Sequence, residues 1–162
     1  MAVDSYIKIA SVDGESSTKG FEKQIAVLAW SWGGSQSGSF HGGTSGAGAG
    51  KVNVQDLSFT KHVDKSSPVL FQKMCQGKHF DDAKLVCCKA GGDSPVKFME
   101  ITLKKVMVSN ISVGGSHGEE QLTENITLHF ESLEVKYTGQ KSDGSADAPV
   151  TATWNIPKNA AS

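Results

Sequence analysis

The chain has 162 residues and a formal net charge of −1, from 17 acidic and 16 basic residues. Every basic residue is a lysine, which argues against a nucleic-acid reader built on bidentate arginine contacts. The length suits one domain over residues 1–162 with a substantial core. No apolar stretch approaches transmembrane length, so no membrane insertion is expected. No basic start with an apolar run marks a signal peptide, and the chain is expected to fold in the cytoplasm. Eighteen glycines against four prolines, with β-branched runs between them, point to many strands and turns. Cys75, Cys87 and Cys88 are odd in number and lack CxxC spacing, so neither a disulfide framework nor a zinc site is indicated.

In chain order, Tyr6, Ile7 and Ile9 mark a short strand, and a polar loop from Val12 follows. Ile25 to Trp32 (IAVLAWSW) reads as a strand that is apolar on both faces except for Ser31, so it needs a second covering layer. Gly33 to Gly50 is rich in glycine and serine and is expected to be a long extended loop with a part in binding. Its end, GAGAGK, fails as a phosphate-cradling loop, because Ser45 replaces the first glycine, Val52 replaces Ser or Thr, and a strand follows.

Lys51 to Gly77 holds the clearest strand and the one convincing helix. Val52 and Val54 occupy even positions, whereas Leu57, Phe59 and Val63 occupy odd ones, so the strand changes face near Gln55 and Asp56. For the helix, Ser66 or Ser67 is the expected cap, Pro68 the first helical residue and Gly77 the left-handed stop.

Lys84 to Ala90 is expected as a strand ending at the turn Gly91-Gly92-Asp93. In Val96 to Val113, apolar residues move from odd (Met99, Ile101, Leu103) to even (Val106, Val108) and back (Ile111, Val113). In Leu122 to Tyr137 they move from even (Ile126, Leu128, Phe130) to odd (Leu133, Val135, Tyr137). Gln140 to Pro149 reads as a loop, Val150 to Ile156 as a last strand anchored by Trp154, and the tail as frayed. Three long strands that switch face predict an all-β fold: a small β-barrel of two sheets with one short flanking α-helix.

Catalytic signals are weak. Gly114-Gly115-Ser116-His117-Gly118 matches a hydrolase elbow, but a strand-like segment follows it where a helix is needed. A glycine-rich β-turn is the better reading. The five histidines share no ligand spacing, and adjacent carboxylates such as Asp81-Asp82 read as solvated charge. No catalytic, cofactor-binding or metal residue is assigned, and no enzyme activity is expected.

The words MAVDSYIKI, LAWSWG, GKVNVQDLSFTKHVDKSSP, GKHF, KAGG, ITLKKVMVSNISVGG, LTENITLHF and WNI stand in order from Met1 to about Ile156. In these the chain resembles the haemolysin-coregulated protein family, Hcp, the tube subunits of bacterial type VI secretion systems. The resemblance implies a hexameric ring with a central channel, and rings stacked into a tube within a contractile sheath. It implies a tip formed by a spike protein of the valine–glycine-repeat family, and release from the producing cell without a signal peptide. It also implies that secreted effectors are bound and chaperoned in the ring lumen. On this footing Ser31 is expected to face the lumen, the alternative being a core serine bonded to backbone. Gly42, Gly43, Gly91, Gly92 and Asp93 are expected at one stacking face, with Pro157 and Lys158 at the other. Two other readings are a monomeric β-barrel that binds a ligand and a small hydrolase using Ser116.

Overall fold

A computed structural model describes residues 2–39, 48–89 and 95–162. Twelve strands and one helix follow in order: β1 Val3–Ile9, β2 Ile25–Val27, β3 Ala29–Ser31, β4 Gly34–Ser35, β5 Gly38–Ser39, β6 Gly48–Ala49, β7 Asn53–Val54, β8 Leu57–His62, α1 Ser66–Gln76, β9 Phe80–Lys89, β10 Val96–Gly114, β11 Thr123–Gln140 and β12 Ala146–Asn155. One antiparallel sheet runs β2-β1-β9-β10-β11-β8-β3, with β12 paired to β11. β2 and β3 are consecutive, and between them the Leu28 N–H donates to the Thr60 carbonyl (2.8 Å). The first and last strands of the path are thus neighbours, and the sheet is nearly closed into a barrel. The expected barrel and helix are present, but its two walls belong to one sheet that bends along the long strands β10 and β11.

The face switches have structural causes. β7 stops at Val54 and β8 starts at Leu57, so Gln55 and Asp56 are the break expected there. Between Leu103 and Val106 the pairing skips Lys105 and Glu131. Lys105 takes a positive φ of 49°, rare for a side chain with Cβ, and its ammonium lies 2.8 Å from Glu131. Both strands therefore turn at one level, and the inward set passes from Leu103 to Val106 on β10 and from Phe130 to Leu133 on β11. A second register shift, at Ser109, returns Ile111 to the inner side. The core is built from these inward residues, including Ile7, Leu57, Phe59, Leu85, Ile101, Leu103, Ile126 and Leu128.

The helix packs on β10, burying Leu70 while leaving Val69 and Phe71 exposed. Gly77 closes it at φ 63° and ψ 23°, the left-handed stop that was expected. The start differs from expectation. Lys65 is the residue before the first turn and provides no side-chain cap. Instead the Asp64 carboxylate accepts from the Ser66 N–H (2.9 Å), and Ser67 Oγ accepts from the Asp64 N–H (3.0 Å). Pro68 is consequently the third helical residue. Asp64 takes this place because it is also tied to a buried lysine beneath it.

Five other segments depart from the sequence reading. The Ile25–Trp32 strand breaks at Leu28, which is 53% exposed, and Ala26 faces solvent; its outer side is uncovered. Val63 is exposed, because Lys61 takes the last inward position of β8. The polar loop after Val12 folds back so that Phe21 stacks on Tyr6, with ring centroids 4.4 Å apart, and Gly14 sits where an added Cβ would lie 2.4 Å from the Gln24 carbonyl oxygen. The tail is ordered: Asn155 and Ala160 exchange two backbone hydrogen bonds (2.8 and 3.3 Å), and Asn159 makes the turn with φ 49°. The loop expected at Gln140–Pro149 shrinks to Lys141–Ser145, since β11 and β12 run further than their apolar patterns.

Candidate functional surface

Ser31 lies on β3 opposite Ser58 of β8, and Ser58 is opposite Thr127 of β11, which is opposite Asn110 of β10. The next row is Ala29, Thr60, Asn125 and Ser112. These positions alternate with inward residues, so both rows lie on the outside of the barrel. Ser31 is exposed there and is not a core residue. The Ser58 and Thr127 hydroxyls share a hydrogen bond (3.1 Å), and Thr60 Oγ1 donates to Asn125 Oδ1 (2.6 Å). The surface offers hydroxyl and amide groups and, across the two rows, no charge.

Charge appears only at its lower edge. Asp56, at the break between β7 and β8, accepts from Ser109 Oγ (3.0 Å), and its other oxygen lies 2.8 Å from His129 Nδ1. The bulge at Ser109 aims that hydroxyl at Asp56. Ser116 is in the turn beyond the Gly114–Thr123 pair, whereas His129 is opposite Met107. The structure therefore does not bring Ser116 and His129 together, and the elbow-like motif is an exposed turn in which Glu119 accepts from the Ser116 N–H (3.2 Å). Among the described residues no cluster of three His, Cys, Asp or Glu could hold a metal.

Beneath the upper end of this surface is a feature the sequence did not announce. Lys61 is fully buried, and its ammonium donates to Asp64 (2.9 Å), Ser67 Oγ (3.0 Å) and the His62 carbonyl (3.1 Å) while pairing with Glu124 of β11. Ser66 and Ser67 hydroxyls donate to Asp64 and Glu124 respectively. A buried charge is tolerated only when paired and hydrogen-bonded, and here one lysine joins β8, β11 and the start of α1. Lys61 falls on the inward side of the LSFTKH alternation, which was the available signal.

A second outer face covers β9, β10 and β11 on the other side of the strand bends. Glu100 lies between Lys84 (2.8 Å) and Lys136 (3.6 Å), and Lys104 lies 3.6 Å from Asp82. Partial burial pushes the Glu100 carboxyl up, but the hydrogen bond and charge of Lys84, with Lys136 and Lys97, outweigh this and hold it below its ordinary value.

Pro157 and Lys158 are exposed in the turn after β12, where the Lys158 N–H donates to Asn155 Oδ1 (2.9 Å). Gly42, Gly43, Gly91, Gly92 and Asp93 lie outside the described residues.

Residues 6–137 match the family described as "Type VI secretion system effector, Hcp". The chain belongs to the Hcp family of type VI secretion proteins. It is 57% identical over 160 residues to protein Hcp1 of Pseudomonas aeruginosa, covering 98% of each chain. A solved type six secretion system protein superposes with a TM-score of 0.92 at 29% identity, over 99% of this chain and 100% of that one. Hcp1 from Salmonella typhimurium superposes with a TM-score of 0.81 at 32% identity, over 99% of both chains. Hcp proteins are structural secretion-system components and not known enzymes. Among the described residues no helix is long and apolar enough to cross a membrane.

Proposed function

We propose that the chain, as one domain over residues 1–162, is a tube subunit that assembles into hexameric rings stacked in a type VI secretion tube. The hydroxyl–amide face bearing Ser31 lines the lumen, where it binds and chaperones small effectors. The observation that carries this reading is the two uncharged rows on the outside of a family barrel. Such a wall offers hydrogen bonds at many points without selecting for one sign of charge. A lone ligand-binding barrel has no need of so broad a neutral wall. The contractile sheath surrounds the tube, the valine–glycine-repeat spike caps it, and the subunit waits in the cytoplasm until firing.

Stacking uses Gly42, Gly43, Gly91, Gly92 and Asp93 on one ring face and Pro157 and Lys158 on the other. The exposure of Pro157 and Lys158 in a tight turn agrees with this. The test is the solution mass by light scattering, with negative-stain images of the same fraction. A six-fold multiple of the 17.1 kDa chain, seen as rings with a central hole, is expected. A clean 17.1 kDa monomer at every concentration overturns the assembly and favours the monomeric ligand-binding barrel. Lumen binding is tested separately: Ser31→Lys is expected to leave the ring mass unchanged and to lose co-purifying effector.

A further inference from the structure

The hairpin arm from β4 to β7 continues the β3–β8 ladder, but not in the same register. Ser31 pairs with Ser58 and Gly34 with Val54, so one strand takes three steps between these pairs and the other four. The Gln55 N–H still donates to the Gly33 carbonyl (2.8 Å) within the arm, and Leu57 already pairs with Leu128 of β11. The extra residue is therefore Asp56, and the arm joins the barrel across a bulge.

On β10 a second bulge stands at the same level. Val108 pairs with Leu128 and Asn110 with Thr127, which leaves Ser109 as the extra residue there. The two extra residues meet across β11. Ser109 Oγ donates to one Asp56 oxygen (3.0 Å), and His129 Nδ1 of β11 lies 2.8 Å from the other. The side chains of Asp56 and His129 are 33% and 62% exposed, and a pair so placed adds little to stability. What it can fix is direction, because a bulge bends and twists the strand that carries it.

Beyond this root little else orients the arm. Among the described residues β4 pairs only with β7 and β5 only with β6. No Asp, Glu, Lys or Arg stands between Gly33 and Gly50, so the arm has no carboxylate or ammonium of its own to tie it down. We infer that the clasp of Asp56 by Ser109 and His129 is a latch that fixes the angle at which the arm leaves the barrel, and so holds the subunit in the shape that assembles. Its effect on assembly presupposes the self-assembly proposed above; its effect on the arm does not.

Asp56→Ala opens the clasp at its centre, and His129→Ala removes one donor. His129→Asn keeps an N–H at the place of the imidazole Nδ1 and serves as the conservative variant. Spin labels at Ser35→Cys on the arm and Lys104→Cys on the barrel, in a Cys75→Ser background, read the arm angle within one chain. Labelled chains are diluted into unlabelled chains of the same variant. One narrow distance is expected for the parent and for His129→Asn. A broad distribution is expected for Asp56→Ala and His129→Ala, with loss of the ring species in light scattering and an unchanged melting temperature. If Asp56→Ala does not fold, His129→Ala carries the same test. Narrow distributions in both alanine variants, or a broad one in the parent, overturn the latch although self-assembly stands. A monomeric parent overturns the assembly reading alone, since the distances still judge the latch.

Discussion

The two outer faces of this barrel are made by the same long strands, β10 and β11, yet they differ in kind. Above the Lys105–Glu131 corner, beyond Met107 and the Asp56-bound His129, the outward residues of these strands are Asn110, Ser112, Asn125 and Thr127, joined by Ser31, Ser58 and Thr60 of their neighbours. Below it they are Glu100, Lys104, Glu134 and Lys136, facing Lys84 and Asp82. The upper face satisfies its polar groups in pairs of hydroxyls and amides; the lower face satisfies them as ion pairs, partly buried at Glu100 and exposed at Lys104–Asp82, where the pair contributes little to stability. The difference teaches that the corner divides the chemistry of the barrel: hydroxyls and amides on one wall, charged side chains on the other.

The largest test concerns what supports the neutral wall. Lys61→Met leaves Glu124 and Asp64 buried without their cation, and should cost about 3–5 kcal/mol in urea denaturation. Because Lys61 ties β8 to β11, hydrogen exchange should rise first on the upper face while the charged face keeps its protection. Next, Ser58→Lys introduces onto the neutral wall the character of the charged one. It should abolish effector co-purification while costing about 1 kcal/mol for the lost hydrogen bond to Thr127, and unchanged binding would remove the distinction between the faces. Thr60→Val deletes the hydroxyl that bonds Asn125 and should cost about 1 kcal/mol. On the charged face, Glu100 has a folded carboxyl value below its ordinary 4.5. Its stabilising contribution is therefore complete above that pH and is lost as the pH falls through the lower folded value. Glu100→Gln should flatten this part of the acid-stability profile and leave assembly and cargo binding untouched.

The corner itself was legible in the sequence. Changes of apolar parity at Gln55–Asp56, at Leu103–Val106 and at Phe130–Leu133 each coincide with a break or bulge, because a buried strand face enforces strict alternation. Gly77 was legible for the same kind of local reason, as its left-handed backbone favours glycine. What escaped depends on partners distant in the chain. Lys61 falls on the inward side of β8, but what neutralises it appears only once Glu124 is brought opposite it. Phe21 looks like a lone aromatic in a polar loop until the loop folds onto Tyr6. The helix starts earlier than its serines suggest, because Asp64 serves both Lys61 and the Ser66 N–H. Leu28 breaks a strand that looked continuous, since the chain there changes partners from β1 to β8. Of the candidate surface, only Ser31 was singled out; Ser58, Thr60, Asn125 and Thr127 acquire meaning as a row only once register is known.

The central claim is that the neutral face turns toward the axis of an oligomeric ring and the charged face away from it. In a ring, the distance between equivalent sites on neighbouring copies grows with their distance from the axis. Dipolar spin-label spectroscopy on assembled Ser31→Cys and Lys104→Cys chains, each in a Cys75→Ser background, compares the two directly. The account predicts a shorter distance between copies for labels at Ser31 than at Lys104. Equal distances, or a longer one at Ser31, would contradict it.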